Sequence, residues 1–318
     1  MIRMLVLQKS AASPLASLVK KTSITQPIYY YLKNITCMHS LHCQLKKELL
    51  SPEIILVYQM GKVASSSIFK SLKSAKIKQP VYQIHTLNRD VIQQKWQTIK
   101  LYQPYINRPV VDQDFLVSKY LSNHLDQVLN RKLKIISIVR DPLQRNISDF
   151  FQNIEQYFPN FTQRFASGQL GLEDVIQAFW KNHGFWGVDY AGRWFNRELK
   201  AVLGIDIMAV EFPKDKGYVM INYPDRNIEV LLLKFESFNQ CLEDSLCDFF
   251  ALEQIQIKDE NISQKKDYYQ VYKEFQRLVK FSTEYLDKIY RNSWMSHFYT
   301  EAEINQFQRR WERTYHLS

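Results

Sequence analysis

Residues Ile54 to Leu72, IILVYQMGKVASSSIFKSL, constrain the fold of this chain more than any other stretch. Ile54 to Tyr58 is a continuous apolar run rich in β-formers, the pattern of a strand buried on both faces of a parallel sheet. Ile68, Phe69 and Leu72 are spaced like one face of a helix. Between them lies a short loop, Gln59 to Ala64, holding Gly61 and Lys62, and Ser65, Ser66 and Ser67 stand where the helix should start. Serines there can cap free backbone amides. They can equally offer hydroxyls and amides to an anion, since a helix start carries partial positive charge. Two readings stay open on this stretch alone: a phosphate-binding turn, or a buried strand running into a capped helix.

The loop is not a nucleoside-triphosphate loop of the G-x-x-x-x-G-K-[ST] type. Val63 follows Lys62, so the magnesium-binding hydroxyl is missing, and Leu56 stands where the first glycine belongs.

The 318 residues suffice for one large α/β domain or two smaller ones. Composition is ordinary for a globular protein, with 46% hydrophobic and 23% charged residues. A net charge of +10 admits nucleic acid, an anionic membrane or anionic small molecules as partners. The basic residues are spread along the chain rather than gathered in a tail, which weakens the nucleic-acid reading. Cys37, Cys43, Cys241 and Cys247 form no C-x-x-C pair, which argues against a structural zinc site and for free thiols. No run is long and apolar enough to span a membrane. The apolar part of the first residues, Met4 to Leu7, is shorter than a secretory core. The expectation is a cytoplasmic protein. Residues 1–50 read as a helical extension broken by Pro14 and Pro27, and residues 51–318 as the main α/β domain.

Val81 to Ile84 reads as a second strand, with His85 at its carboxyl end. Ligands of open α/β sheets sit at such ends, so His85 is a candidate general base, or simply a histidine bonded at a strand end. Asn88–Tyr102 and Asp114–Leu129 read as helices. Lys134 to Val139 is a third, buried strand, followed at once by Arg140-Asp141-Pro142, in which Asp141 is a good N-cap and Pro142 a good first helical residue. Arg140 at the strand end and Ser148 on the helix can converge on one anion. Alternatively, Arg140 pairs with an acid and Ser148 fills space. In Phe185 to Leu199 the aromatics with Arg193 and Arg197 suit an acidic sugar, although core packing is the better account of Trp194 and Phe195. Phe212–Ile221 reads as a hairpin, Ile228–Phe235 as a strand, Gln240–Phe250 as a helix that Glu236 either caps or leaves to orient a site residue, Asn261–Tyr290 as one long helix, and Thr300–Tyr315 as a final helix opened by a capping box. Of four N-x-[ST] sequons, the one at Asn146 lies inside the second turn, where a glycan would block a site.

The pair K-V-A-S-S-S and V-R-D-P-L-Q-R-N-I-S, each on a strand-to-helix junction, resembles the sulfotransferase superfamily. Within it the chain looks most like the capsular polysaccharide synthesis (NKWYS) group, from about Ser51 to near the C-terminus. The resemblance implies a P-loop nucleotide-hydrolase-like, three-layer α/β fold, with a mainly parallel central sheet and helices on both faces. It implies PAPS (3′-phosphoadenosine 5′-phosphosulfate) as co-substrate, no metal, and a hydroxyl of a saccharide as acceptor, with a capsular or other surface polysaccharide in view. Lys62 would then contact the phosphosulfate, with Val63, Ala64, Ser65, Ser66 and Ser67 around the 5′-phosphate. Arg140 and Ser148 would hold the 3′-phosphate, and His85 would take the acceptor's proton. Ala64 stands where many members have glycine, which makes the loop less permissive. The rivals are a kinase-like phosphotransferase, which Val63 opposes, and a non-catalytic polyanion or nucleic-acid binder, which leaves the paired turns unexplained.

Overall fold

The computed structural model describes residues 39–102, 112–184, 187–258 and 266–312. The apolar runs become strands: β1 (Glu53–Tyr58), β2 (Val81–Ile84), β3 (Lys132–Val139) and β5 (Ile228–Lys234), with β4 (Tyr218–Tyr223) beside the last. They form one five-stranded sheet in the order β2-β1-β3-β5-β4. β2, β1, β3 and β5 are parallel, and β4 runs antiparallel to β5 at the edge. Ile54 to Tyr58 are all fully buried, as a central strand covered on both faces requires. The chain is therefore a mixed α/β protein with a mostly parallel sheet and helices around it.

From β1 the chain passes to β2 on one side, then crosses back to β3 on the other. Such a reversal opens a crevice between the carboxyl ends of β1 and β3, where open sheets bind ligands. Both singled-out turns lead from those ends, into helices α1 (Ser65–Ser74) and α2 (Pro142–Gln152). Asp141 caps α2 by accepting from the amides of Leu143 and Gln144, with Pro142 in its first turn. Leu143, Ile147, Phe150 and Phe151 are fully buried on one face of that helix.

Several expected elements are displaced. The turn at Pro213 to Gly217 forms, with Gly217 at φ 77 and its amide donating to Pro213, but it leads into β4 instead of joining two strands. The hairpin is β4–β5, closed by Pro224–Arg226 and left-handed Asn227. The helix expected over Asp114–Leu129 breaks at His124, whose Nδ1 donates to the Tyr120 carbonyl at 2.9 Å. The helix expected to Tyr290 divides where Val279 turns extended and Ser282 caps the next segment. Asn261 to Lys265 lie outside the described residues, as do residues 1–38 with Cys37. Residues 39–48 are helical, and Glu48 there accepts from the Tyr82 hydroxyl of β2 at 2.6 Å. Thr300 and Glu303 form the expected capping box. No helix among the described residues is long and apolar enough to cross a membrane.

Behind the crevice, helix α3 (Tyr190–Phe195) continues into a π-turn, Asn196–Lys200. Ala191, Trp194, Phe195, Glu198 and Leu199 form its buried face. Glu198 is fully buried yet amply bonded. It accepts from Tyr58 Oη at 2.7 Å, Thr86 Oγ1 at 2.9 Å, the amides of Leu87 and Asn88 at 2.9 and 3.1 Å, and Arg197 Nε at 2.9 Å. This carboxylate ties the carboxyl ends of β1 and β2 to the π-turn. Replacing Glu198 with Leu strands these buried donors and should cost about 3–5 kcal/mol of unfolding free energy. Glu198→Gln, which keeps an acceptor, should cost clearly less; urea denaturation measures both.

Candidate anion-binding site

Val63 is fully buried and pins the Gln59–Ala64 turn to the core. On either side of it, Lys62 and Ala64 lie in the left-handed region at φ 71 and φ 62. That conformation costs a residue with a Cβ about 1–2 kcal/mol. Turns of this kind are where backbone amides converge on anions. Ala64 is the N-cap of α1 and gives no side-chain cap, so the serine caps admitted by the sequence do not form. The Ser67 amide folds back on the Ala64 carbonyl at 3.0 Å. The hydroxyls of Ser65 and Ser66 have no hydrogen-bond partner among the described residues.

The turn after β3 reaches across to this one. Arg140 donates through Nη1 to the Lys62 carbonyl and stacks its guanidinium 4.2 Å from the Phe235 ring at the end of β5. Its Nε is buried without a partner. Arg145, buried on α2, donates from Nε to the Gly61 carbonyl at 3.1 Å and pairs with Asp149 at 3.3 Å. Lys62 Nζ donates to Gln152 Oε1 at 2.8 Å. Ser148 lies between Arg145 and Gln152 on the same helical face, one turn from each. Its hydroxyl has no partner among the described residues. The structure thus gathers Lys62, Ala64, Ser65, Ser66, Arg140 and Ser148 beyond the carboxyl ends of β1 and β3, where the two turns are bonded together, while Val63 can contribute only its backbone.

Burial pushes the Lys62 ammonium down to about 8, with Asp149 opposing and the charges of Arg140, Lys266 and Arg145 adding to the fall. Four cations therefore share a confined space. Of Lys265 and Lys266, which the sequence offers either as phosphate contacts or as solvated lysines, Lys266 lies near enough for its charge to bear on Lys62, and Lys265 lies outside the described residues. Sequence reasoning does not single out Gln152, although it continues the Arg145–Ser148 face by one more turn.

His85 follows β2 at the flank of the same crevice. Its Nδ1 donates to the Gln59 carbonyl at 2.9 Å, so that nitrogen carries the proton and Nε2 keeps its lone pair. Burial lowers its pKa and holds the ring neutral. Glu236 does not cap the helix Phe238–Phe250. It accepts from the Asp141 amide at 2.8 Å and from Tyr299 Oη at 3.0 Å, fixing the second turn from below. Burial and the Asp141 charge raise it to about 7. Asn146 is buried, donating to the Gly187 carbonyl at 2.9 Å, so its sequon offers no site for a glycan in the folded chain.

Next to His85 lies an open depression of about 580 Å³ lined by Tyr190, Arg193, Trp194, Asn196 and Arg197. Trp194 Nε1 donates to the His85 carbonyl at 2.9 Å, and the Arg145 guanidinium lies 4.0 Å from the Tyr190 ring. The expected core packing of Trp194 and Phe195 holds, since both are buried.

A family model, NKWYS, described as a putative capsular polysaccharide synthesis protein, matches residues 178–300. No curated protein and no solved structure matches the chain. The likeness expected from about Ser51 onward is thus found over a shorter span. It covers the depression, Glu198 and Glu236, and lies outside Lys62, His85, Arg140 and Ser148.

Two outcomes follow from this geometry. Ala64→Gly should relieve the left-handed strain and raise stability by about 1 kcal/mol, read by thermal or urea unfolding. Inorganic sulfate does not titrate near neutrality, so the titrating groups are those of the site, Lys62 at about 8 and Glu236 at about 7. Affinity should fall about tenfold from pH 7 to pH 9 as Lys62 loses its charge, and most of this fall should be gone in Lys62→Met. Calorimetry at each pH measures it.

Proposed function

We propose that the protein transfers a sulfuryl group from PAPS to a hydroxyl of a saccharide. The observation that carries this reading is the joining of the two strand-end turns by cations: Arg140 and Arg145 donate to the carbonyls of Lys62 and Gly61, beside the Lys62 ammonium. Asp149 offsets part of this positive charge through its pair with Arg145, and a bound anion would offset more. The unused groups suit a ligand with two anionic centres. The uncapped start of α1 with Ser65 and Ser66 faces one, and the orphaned Arg140 Nε with Ser148 faces the other. The NKWYS description supplies the polysaccharide context.

PAPS, when bound, supplies the activated sulfuryl group. Lys62 and the amides of Val63, Ala64 and Ser65 stabilise charge that builds on the leaving phosphate. Arg140 and Ser148 hold the 3′-phosphate and so set the ligand's register. His85, neutral with its proton on Nδ1, accepts the hydroxyl proton of the saccharide at Nε2. Gln59 fixes that tautomer through its carbonyl. Val63, in place of a hydroxyl residue after Lys62, disfavours the kinase alternative.

The test is calorimetric titration with PAP (3′,5′-adenosine bisphosphate), ADP and AMP. PAP should bind at least roughly tenfold more tightly than ADP, and Arg140→Ala should lose roughly 10- to 100-fold of PAP affinity and a smaller part of ADP affinity, so that the preference for PAP collapses. Equal affinity for PAP and ADP, or a response that only tracks salt, would return the protein to the polyanion-binding reading. His85→Ala should retain PAP binding and lose roughly a hundredfold or more in sulfuryl transfer.

A further inference from the structure

We infer that the depression beside His85 receives an acidic sugar unit of the acceptor, a residue carrying a carboxylate or an earlier sulfate. This rests on the saccharide-acceptor reading and names the class of acceptor. The wall is built of carbon, from the Tyr190 ring and the stems of Arg193 and Arg197, a surface that accepts the C–H face of a pyranose. Trp194 is buried beside it.

The charged groups that line it are all cationic. Arg193 and Arg197 are exposed, and no carboxylate is among the lining residues. Arg197 uses Nε on Glu198, and its side chain keeps 42% of its surface in solvent. A guanidinium offers donors and no acceptor, so a ligand here must bring acceptor oxygens, and charged ones are favoured. A site for neutral sugars would instead carry carboxylates to take hydroxyl protons. The contrast is visible nearby. A separate cavity of about 150 Å³ on another face of the same helix mixes Asp189, Asp206 and Lys200.

Position supports the assignment. Trp194 is bonded to the His85 carbonyl, and Tyr190 lies under Arg145, which holds the Gly61 carbonyl. A sugar seated here is one residue, Trp194, away from the backbone of the candidate base, and is linked through Tyr190 and Arg145 to the Lys62 turn. Glu198 fixes the π-turn that presents Arg197, so the floor is rigid.

The test titrates wild-type protein with three probes: an unsulfated tetrasaccharide of alternating glucuronate and N-acetylglucosamine, neutral chitotetraose, and the octanucleotide dT8. The glucuronate probe should bind at least roughly tenfold more tightly than chitotetraose and than dT8. The double variant Arg193→Gln/Arg197→Gln should abolish that preference while PAP binding stays intact. A sulfated counterpart that binds where the glucuronate probe does not would assign the charge to an earlier sulfate. Equal binding of acidic and neutral probes, equal binding of dT8, or retention of the preference in the double variant would overturn the inference. Because PAP binding is read separately, loss of PAP binding with the sugar preference preserved would strike the sulfuryl-transfer reading and leave this one standing.

Discussion

The hydrogen bond from the Arg140 guanidinium to the Lys62 carbonyl joins two turns that are far apart in sequence. Everything at the crevice depends on it and on its companion from Arg145 to Gly61. Both donors are cations, and both acceptors are carbonyls of the first turn. The loop is thus held by the same charges that make the crevice attractive to anions. Phe235 backs Arg140, and Glu236 anchors the Asp141 amide, so the ends of β1, β3 and β5 form one continuous support.

The strain in the first turn is carried by this support. Two left-handed residues with side chains persist because Val63 is buried between them and two guanidiniums grip the carbonyls of Gly61 and Lys62. The turn is consequently organised before any ligand arrives, and little reorganisation opposes binding.

Much of this was legible in the sequence, for definite reasons. The buried strands were readable because a two-faced parallel strand needs an unbroken apolar run. Asp141-Pro142 marked a helix start through local chemistry alone. The hairpin was misplaced because the Pro213–Gly217 turn is real, but which strands it joins is decided by pairing between β4 and β5 across the sheet. The helix breaks at His124 and Val279 carry no proline or glycine to announce them. Glu198 escaped notice because a carboxylate on an apolar helical face has meaning only when its donors, supplied from β1 and from Thr86 to Asn88, are known. The crowding of Lys266 onto Lys62 likewise depends on tertiary approach.

The helix Tyr190–Phe195 with its π-turn has one face committed to the core and another open to solvent. Trp194, Phe195, Glu198 and Leu199 are buried and constrained by the core, whereas Arg193, Asn196 and Arg197 are exposed. Mutational drift can therefore remodel the outer face while the anion crevice stays as it is. A scaffold divided in this way can acquire new molecular targets through two or three surface substitutions, without re-solving the problem of holding a strained, positively charged turn in place.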